Sequence, residues 1–295
     1  MPIAASHKVW FVTGASSGLG KAVVEYALCQ GDKVSATCRK PSVLAELQSK
    51  WPSSQLIVLK LDVTSPTDIT AAFEKAVDTF GRIDVVYNNA KHRVTSGENG
   101  TQDNEARRLF DVDFWGAVDV SREAVKVFRE INEPVGGLLL QISSMIGVLS
   151  PPGAPFYCAR FVTNSQFALE GYLGVLSKET RRSWNIRVKV LDFGAFATPV
   201  AESLIEVPIK PVYEALSEDS PTKRLHAWID NSRPMVGDIA KAAGEVYNIS
   251  RDEHLDAHRI PLRLDALDTA EVNFEGIKTA QEETALHSQD SKMVA

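Results

Sequence analysis

The sequence predicts an α/β fold, a single doubly wound domain with a parallel sheet and helices on both faces. Short apolar runs and segments of helical periodicity alternate six times along the 295 residues, the pattern of strands joined by crossover helices. The apolar runs are short and nearly unbroken, which is how strands buried on both faces of a parallel sheet read. No internal repeat and no second domain is visible, so residues 1–295 are read as one unit.

The first run, Lys8 to Thr13, carries Val9, Trp10, Phe11 and Val12 and ends at a glycine turn. Gly18 to Gln30 places Leu19, Ala22, Val23, Tyr26 and Ala27 at helical spacing, and Gly31-Asp32 stops that helix. Val34 to Cys38 is a second strand, Val43 to Lys50 a short helix and Gln55 to Leu61 a third strand. Pro66 to Phe80 is a helix with Ser65 at its N-cap and proline in its first turn. Ile83 to Tyr87 is a fourth strand, residues 91–103 are polar and loop-like, and Glu105 to Arg129 is one long helical segment. A buried strand follows from Gly137 to Ile142, then a helix from Tyr157 to about Arg182 and a strand from Ile186 to Leu191. Residues 8–200 thus form the core. Residues 201–235 break the alternation with Pro208, Pro211, Pro221 and Pro234. Val236 to Asn248 returns to helix, Arg259 to Leu264 to strand and Ala266 to Thr284 to helix, with 286–295 as a frayed tail.

Composition narrows the partners. The net charge of −6 has both signs interspersed, which leaves no basic footprint for nucleic acid or an anionic membrane. No apolar run approaches the roughly 18 residues of a membrane span. The start lacks a basic region followed by an apolar core, so no signal peptide is expected. Cys29, Cys38 and Cys158 are widely spaced and match no disulfide or metal pattern. His254 and His258 have the spacing of a helical metal pair, but no third ligand follows and a surface pair is the plainer reading. A cytoplasmic protein without a metal is expected.

Two stretches carry chemistry. Thr13-Gly14-Ala15-Ser16-Ser17-Gly18-Leu19-Gly20 joins the first strand to the first helix. Its glycines allow a tight turn, close approach to a pyrophosphate and close helix–strand packing, and the helix N-terminus offers free N–H groups to phosphate. The strand ending near Ile142 leads into Ser143-Ser144, then a loop with Gly147, Pro151, Pro152 and Gly153, then Tyr157-Cys158-Ala159 opening a helix. Asn88-Asn89-Ala90 follows the fourth strand, and Val112-Asp113-Phe114-Trp115-Gly116 lies on the central helix.

This ordered set resembles the short-chain dehydrogenase/reductase family, from about Lys8 to Leu264, with a degenerate YxxxK motif. The resemblance implies a Rossmann-type domain and an oxidoreductase that interconverts a carbonyl and an alcohol on a small molecule. It implies Ser144 and Tyr157 as catalytic residues, the serine orienting the substrate oxygen and the tyrosine exchanging the proton. Two hydroxyl donors suit the negative charge that hydride transfer develops on a ketone oxygen. Gly14, Ser16, Ser17, Gly18, Leu19 and Gly20 would cradle the dinucleotide. Asp62 and Val63 correspond to the residues that cap the adenine ring, Asn89 to the one lining its ribose, and Thr198 to the one bonding the carboxamide. Residues 201–235 would cover the substrate.

The end of the second strand distinguishes the cofactors. A carboxylate there would hold the 2′-hydroxyl of NAD, but the strand ends Cys38-Arg39-Lys40. Two cations suit a 2′-phosphate, so NADP(H) is expected, with Arg39 and Lys40 as its ligands and Ser17 adding a hydroxyl. The alternative to that reading is a solvated basic turn.

The departures from the family pattern surround the site. Lys91 replaces a glycine, where it would either crowd the cofactor or reach its phosphates. Asp113 replaces an asparagine and has lost the two amide donors. Phe193 replaces a proline, which is expected to loosen the turn beyond it. The lysine expected four residues after Tyr157 is Phe161. A second alignment, with five residues inserted before Phe167-Ala168-Leu169-Glu170-Gly171, supplies Gln166 instead. A free tyrosine of pKa about 10 is roughly a thousandth ionised at pH 7. Loss of the lysine therefore weighs more on alcohol oxidation than on ketone reduction. Arg160, one helical turn from Tyr157, and Lys91 are candidate substitutes for the missing charge. The other function class is a descendant that keeps the scaffold without redox turnover: a cyclase, an isomerase or a binding protein. A homo-oligomer stays open.

Overall fold

The computed structural model describes residues 7–92, 103–144, 164–194, 196 and 237–289. Among them a seven-stranded sheet runs in the order β3-β2-β1-β4-β5-β6-β7. The strands are β1 (Val9–Val12), β2 (Lys33–Cys38), β3 (Leu56–Lys60), β4 (Val85–Asn88), β5 (Gly137–Ser144), β6 (Ile186–Phe193) and β7 (Arg259–Leu262). Every neighbouring pair is parallel. The strand order therefore reverses between β1 and β4, where sheets of this kind open a crevice for ligands.

Two cores flank the sheet. On one face α1 (Gly18–Cys29) and α7 (Ile239–Arg251) pack with Trp10, Val12, Leu140 and Leu191. On the other, α3 (Pro66–Phe80), α5 (Ala117–Glu130) and α6 (Asn164–Glu179) cover Phe11, Val86, Leu139 and Val190. Alternate residues of one strand serve opposite faces, so Trp10 and Phe11 enter different cores. Phe11 stacks on Phe73 of α3 with ring centroids 4.0 Å apart. No helix among the described residues is long and apolar enough to cross a membrane.

Local chemistry sets the helix ends. Ser65 accepts the backbone N–H of Asp68 at 3.2 Å, Pro66 opens α3, and Gly81 closes it in the left-handed conformation at φ 83°. Asp238 caps α7 by accepting from Ala240 N at 2.8 Å and Lys241 N at 3.3 Å. The helix therefore begins at Ile239 rather than Val236, and Gly237 forms a bridge to Phe196 instead.

Other boundaries also differ from the periodicity. Residues 41–49 divide into a 3₁₀ turn (Pro41–Leu44) and α2 (Ala45–Ser49). The long central helix is α4 (Asp103–Phe110), a π-helical stretch (Asp111–Gly116) and α5. The final helix, α8 (Leu264–Gln289), extends past the position read as fraying. β5 reaches Ser144 because β6 continues alongside it to Phe193, pairing Ser143 with Asp192 and Ser144 with Phe193.

At the end of the sheet remote from the glycine turn, Asp32 is wholly buried beneath α7. It accepts from Lys8 N and Trp10 Nε1, each at 2.9 Å. Arg251 Nη2 lies 2.6 Å from both of its oxygens, and the Arg251 guanidinium sits over the Tyr247 ring.

Candidate active site

The glycine turn is built from neighbouring strand ends. Thr13 N–H donates to Tyr87 O of β4 at 3.1 Å, and Ala15 N–H to Thr37 O of β2 at 2.9 Å. The Thr13 hydroxyl, fully buried, donates to Asn88 Oδ1 at 3.1 Å and accepts the N–H groups of Asn89 and Ala90, each at 2.9 Å. The Asn89 amide donates to Thr13 O at 3.0 Å and Gly14 O at 3.1 Å. Asn88 reaches the other way, to Ala117 O of α5 at 3.0 Å. Thus Asn89, expected beside a ribose, spends its amide on the turn itself. Thr13 was absent from the expected site; its place immediately before Gly14 is the signal that could have found it.

The glycines are required by space as well as by backbone angle. Gly14 and Gly18 have φ of 65° and 55°. A Cβ on Gly20 would lie 2.4 Å from Gly14 O and 2.5 Å from Asn89 Nδ2. Ser17 stands at the N-cap of α1 with an extended backbone and no side-chain cap bond, and the first turn holds no acidic residue. The first N–H groups of the helix, including those of Gly18, Leu19 and Gly20, have no partner within it, and its positive dipole end is uncompensated by charge. Ser16 and Ser17 are exposed at this mouth. The chemistry is that of an anion cradle, and a dinucleotide pyrophosphate fits its donor set.

Arg39 and Lys40 follow β2 directly and are exposed; the Lys40 carbonyl accepts Val43 N–H at 3.2 Å, while the two side chains make no hydrogen bond or ion pair among the described residues. Asp62 is occupied locally: its Oδ1 accepts from Thr64 N at 3.0 Å and Thr64 Oγ1 at 2.8 Å. Val63 is buried against the central helix, where a Cβ on Gly116 would come within 2.8 Å of Val63 O.

At the end of β5, Ser144 is buried to 8% exposure. Its neighbour Ser143 donates to Glu170 of α6, which pairs with Arg259 of β7. Asp113 is buried in the π-helical stretch and its Oδ1 accepts His92 N–H at 2.6 Å. The carboxylate thus replaces an amide at a position where the chain supplies a donor. Lys91 is half-buried, and its charge favours the ionised form of Glu170. Glu170, Asp192 and Arg259 were not expected at the site, because only the β6–β7 pairing and the packing of α6 on the sheet bring them together.

The turn beyond β6 is held without proline. Phe193 packs edge-on against Phe196 with centroids 5.6 Å apart, and Gly194 N–H donates to Leu262 O at 3.1 Å. Tyr157, Thr198, the substitute candidate Arg160, Phe161 and the segment 201–235 lie outside the described residues.

A family model described as short chain dehydrogenase matches residues 8–207. The chain is 32% identical over 292 residues to Oxidoreductase calM of Penicillium decumbens, covering 94% of this chain and 92% of that protein. A short-chain dehydrogenase from Streptomyces avermitilis superposes with a TM-score of 0.83 at 28% identity, covering 98% of this chain and all of the other. Two further solved structures share the fold. One is a short chain dehydrogenase from Burkholderia cenocepacia in complex with NADP, at TM-score 0.69, 19% identity and 99% and 100% coverage. The other is a short chain dehydrogenase/reductase from Burkholderia phymatum in complex with NAD, at TM-score 0.72, 20% identity and 93% and 95% coverage. With the parallel sheet, the glycine turn and a match over residues 8–207, the chain belongs to the short-chain dehydrogenase family.

Proposed function

We propose that this protein is an NADP(H)-dependent oxidoreductase that interconverts a carbonyl and an alcohol on a small organic substrate. The observation that carries the reading is the uncapped, glycine-lined N-terminus of α1, set where the strand order reverses. The cations Arg39 and Lys40 follow the adjoining strand, have no side-chain partner among the described residues, and suit a 2′-phosphate.

NADP(H), when bound, supplies or accepts the hydride. Gly14, Ser16, Ser17, Gly18, Leu19 and Gly20 would hold its pyrophosphate, and Arg39 and Lys40 its 2′-phosphate. Asp62, Val63 and Asn89 would stand at the adenosine end, and Thr198 at the nicotinamide. Ser144 orients the substrate oxygen by donating its hydroxyl, and Tyr157 exchanges the proton. With Phe161 or, in the second alignment, Gln166 where the family carries lysine, the loss weighs less on ketone reduction than on alcohol oxidation. A neutral phenol already carries the proton that reduction consumes.

The test has two stages. NADPH is titrated into the purified protein by fluorescence, and its absorbance is then followed with a panel of ketones and aldehydes. Binding in the micromolar range or tighter with oxidation of NADPH by one of them supports the proposal. Binding without turnover across the panel favours a scaffold that has kept the cofactor and lost the chemistry. Absence of binding removes both.

A further inference from the structure

Next to Ser144, three strand ends and one helix are tied together by charge. The Ser143 hydroxyl of β5 donates to one carboxylate oxygen of Glu170 on α6. The other oxygen pairs with Arg259 Nη1 of β7 at 3.0 Å. The same guanidinium takes Asp192 of β6 through Nε to Oδ2 at 2.6 Å and Nη2 to Oδ1 at 3.2 Å. Ser143 and Asp192 are direct partners in the β5–β6 register. Both are buried, and the Glu170 side chain is only 10% exposed.

Such a network is a poor way to gain stability alone. Desolvating the ions offsets most of their attraction, and apolar packing would join the same elements as well. What it provides is fixed direction, since every bond in it is angular. Successive strand residues point to opposite faces, so Ser143 held towards α6 sets the direction in which Ser144 leaves the strand.

We propose that Glu170 is a positioning residue for the reaction, gripping Ser143 and so fixing the peptide from which the Ser144 hydroxyl projects. The proposal rests on the reading of Ser144 as the group that orients the substrate oxygen.

The grip is strongest with a carboxylate, which gives Ser143 a charged acceptor and Arg259 a counter-charge. Burial raises the Glu170 pKa most strongly; Ser143 and Arg259 lower it, Asp192 raises it and Lys91 lowers it. The balance lies above the ordinary carboxylate value. Protonation as the pH falls removes the charge that holds Arg259 and leaves Ser143 a weaker, neutral acceptor, so turnover declines at a higher pH than an ordinary carboxylate would set.

The experiment compares the full-length wild type with Glu170→Gln and Ser143→Ala, using NADPH and a carbonyl that the wild type reduces. Glu170→Gln keeps the shape of the side chain and abolishes its charge. The expected result is a kcat lowered about 10-fold or more, as misplacement of a reacting group costs. KM for NADPH stays within about twofold and the acid limb of the kcat profile disappears. Ser143→Ala lowers kcat similarly, and the double variant is no worse than either single one. A Glu170→Gln protein with wild-type kcat and an unchanged acid limb overturns the proposal and leaves the reductase reading standing. So does a fall in kcat that only tracks the folded fraction seen by circular dichroism. A wild type that binds NADPH and reduces nothing overturns the reductase reading and this proposal with it.

Discussion

Gly20 lies so close to Gly14 that a methyl group on it would sit 2.4 Å from the Gly14 carbonyl oxygen. The first turn of α1 and the loop before it therefore share one volume, and neither can give without moving Asn89. Gly20→Ala is expected to raise the NADPH dissociation constant at least 100-fold, about 2.7 kcal/mol, measured by fluorescence titration. Gly171 is the control. Among the described residues nothing lies within 4 Å of its virtual Cβ on α6, so Gly171→Ala should stabilise the protein by about 0.5–1 kcal/mol in urea unfolding.

Thr13 serves three partners with one hydroxyl. Thr13→Val keeps the shape and orphans the N–H groups of Asn89 and Ala90. The expected loss is about 2–3 kcal/mol of unfolding free energy, with weaker NADPH binding in the same samples. Thr13→Ser should restore most of both. Equal stability in the valine and serine proteins would show that the hydroxyl contributes nothing.

Arg39 is exposed and without a partner among the described residues, so its replacement leaves no orphaned charge behind. Arg39→Asp is expected to weaken NADPH by 10- to 100-fold, the scale of a lost charge-assisted pair, while NADH gains. The ratio of kcat/KM for the two cofactors reads the effect. An unchanged ratio would take Arg39 out of cofactor choice.

Asp32 is completely buried and depends on Arg251 for its counter-charge. Arg251→Met leaves that carboxylate uncompensated and should cost about 3–5 kcal/mol. The site is at the other end of the sheet, so turnover per folded molecule should stay at the wild-type value. Denaturant melts and active-site titration on one preparation separate the two quantities.

The fold was legible because its information is local and repetitive. A four-residue apolar run such as Val9–Val12, too short for a helix and bounded by a glycine turn, reads as a strand, and Ser65-Pro66 before an apolar-periodic segment reads as a helix start. The glycine turn was legible for the same reason. The π-helical stretch at Asp111–Gly116 was hidden because its apolar spacing reads as ordinary helix over so few residues. The α7 start was misplaced because Asp238 outcompetes the apolar pattern that begins at Val236. Glu170, Asp192 and Arg259 escaped notice because three separate elements contribute one residue each. Their meeting is a property of strand pairing and of how α6 packs on the sheet, which no window of sequence contains.

Asp32 and Arg251 stand 219 residues apart in the chain. A ribosome that has released β1, α1 and β2 has made the glycine turn and the buried carboxylate, yet the cation that neutralises it is still unmade. The first βαβ unit therefore cannot desolvate Asp32 cheaply until α7 docks. Closure of the sheet around Asp32 waits on residue 251, so slow folding for its size is the expected outcome. The same lock works in the mature protein: any loosening of α7 uncovers a charge beneath β1, so the first strand and the last core helix are expected to open together in hydrogen exchange.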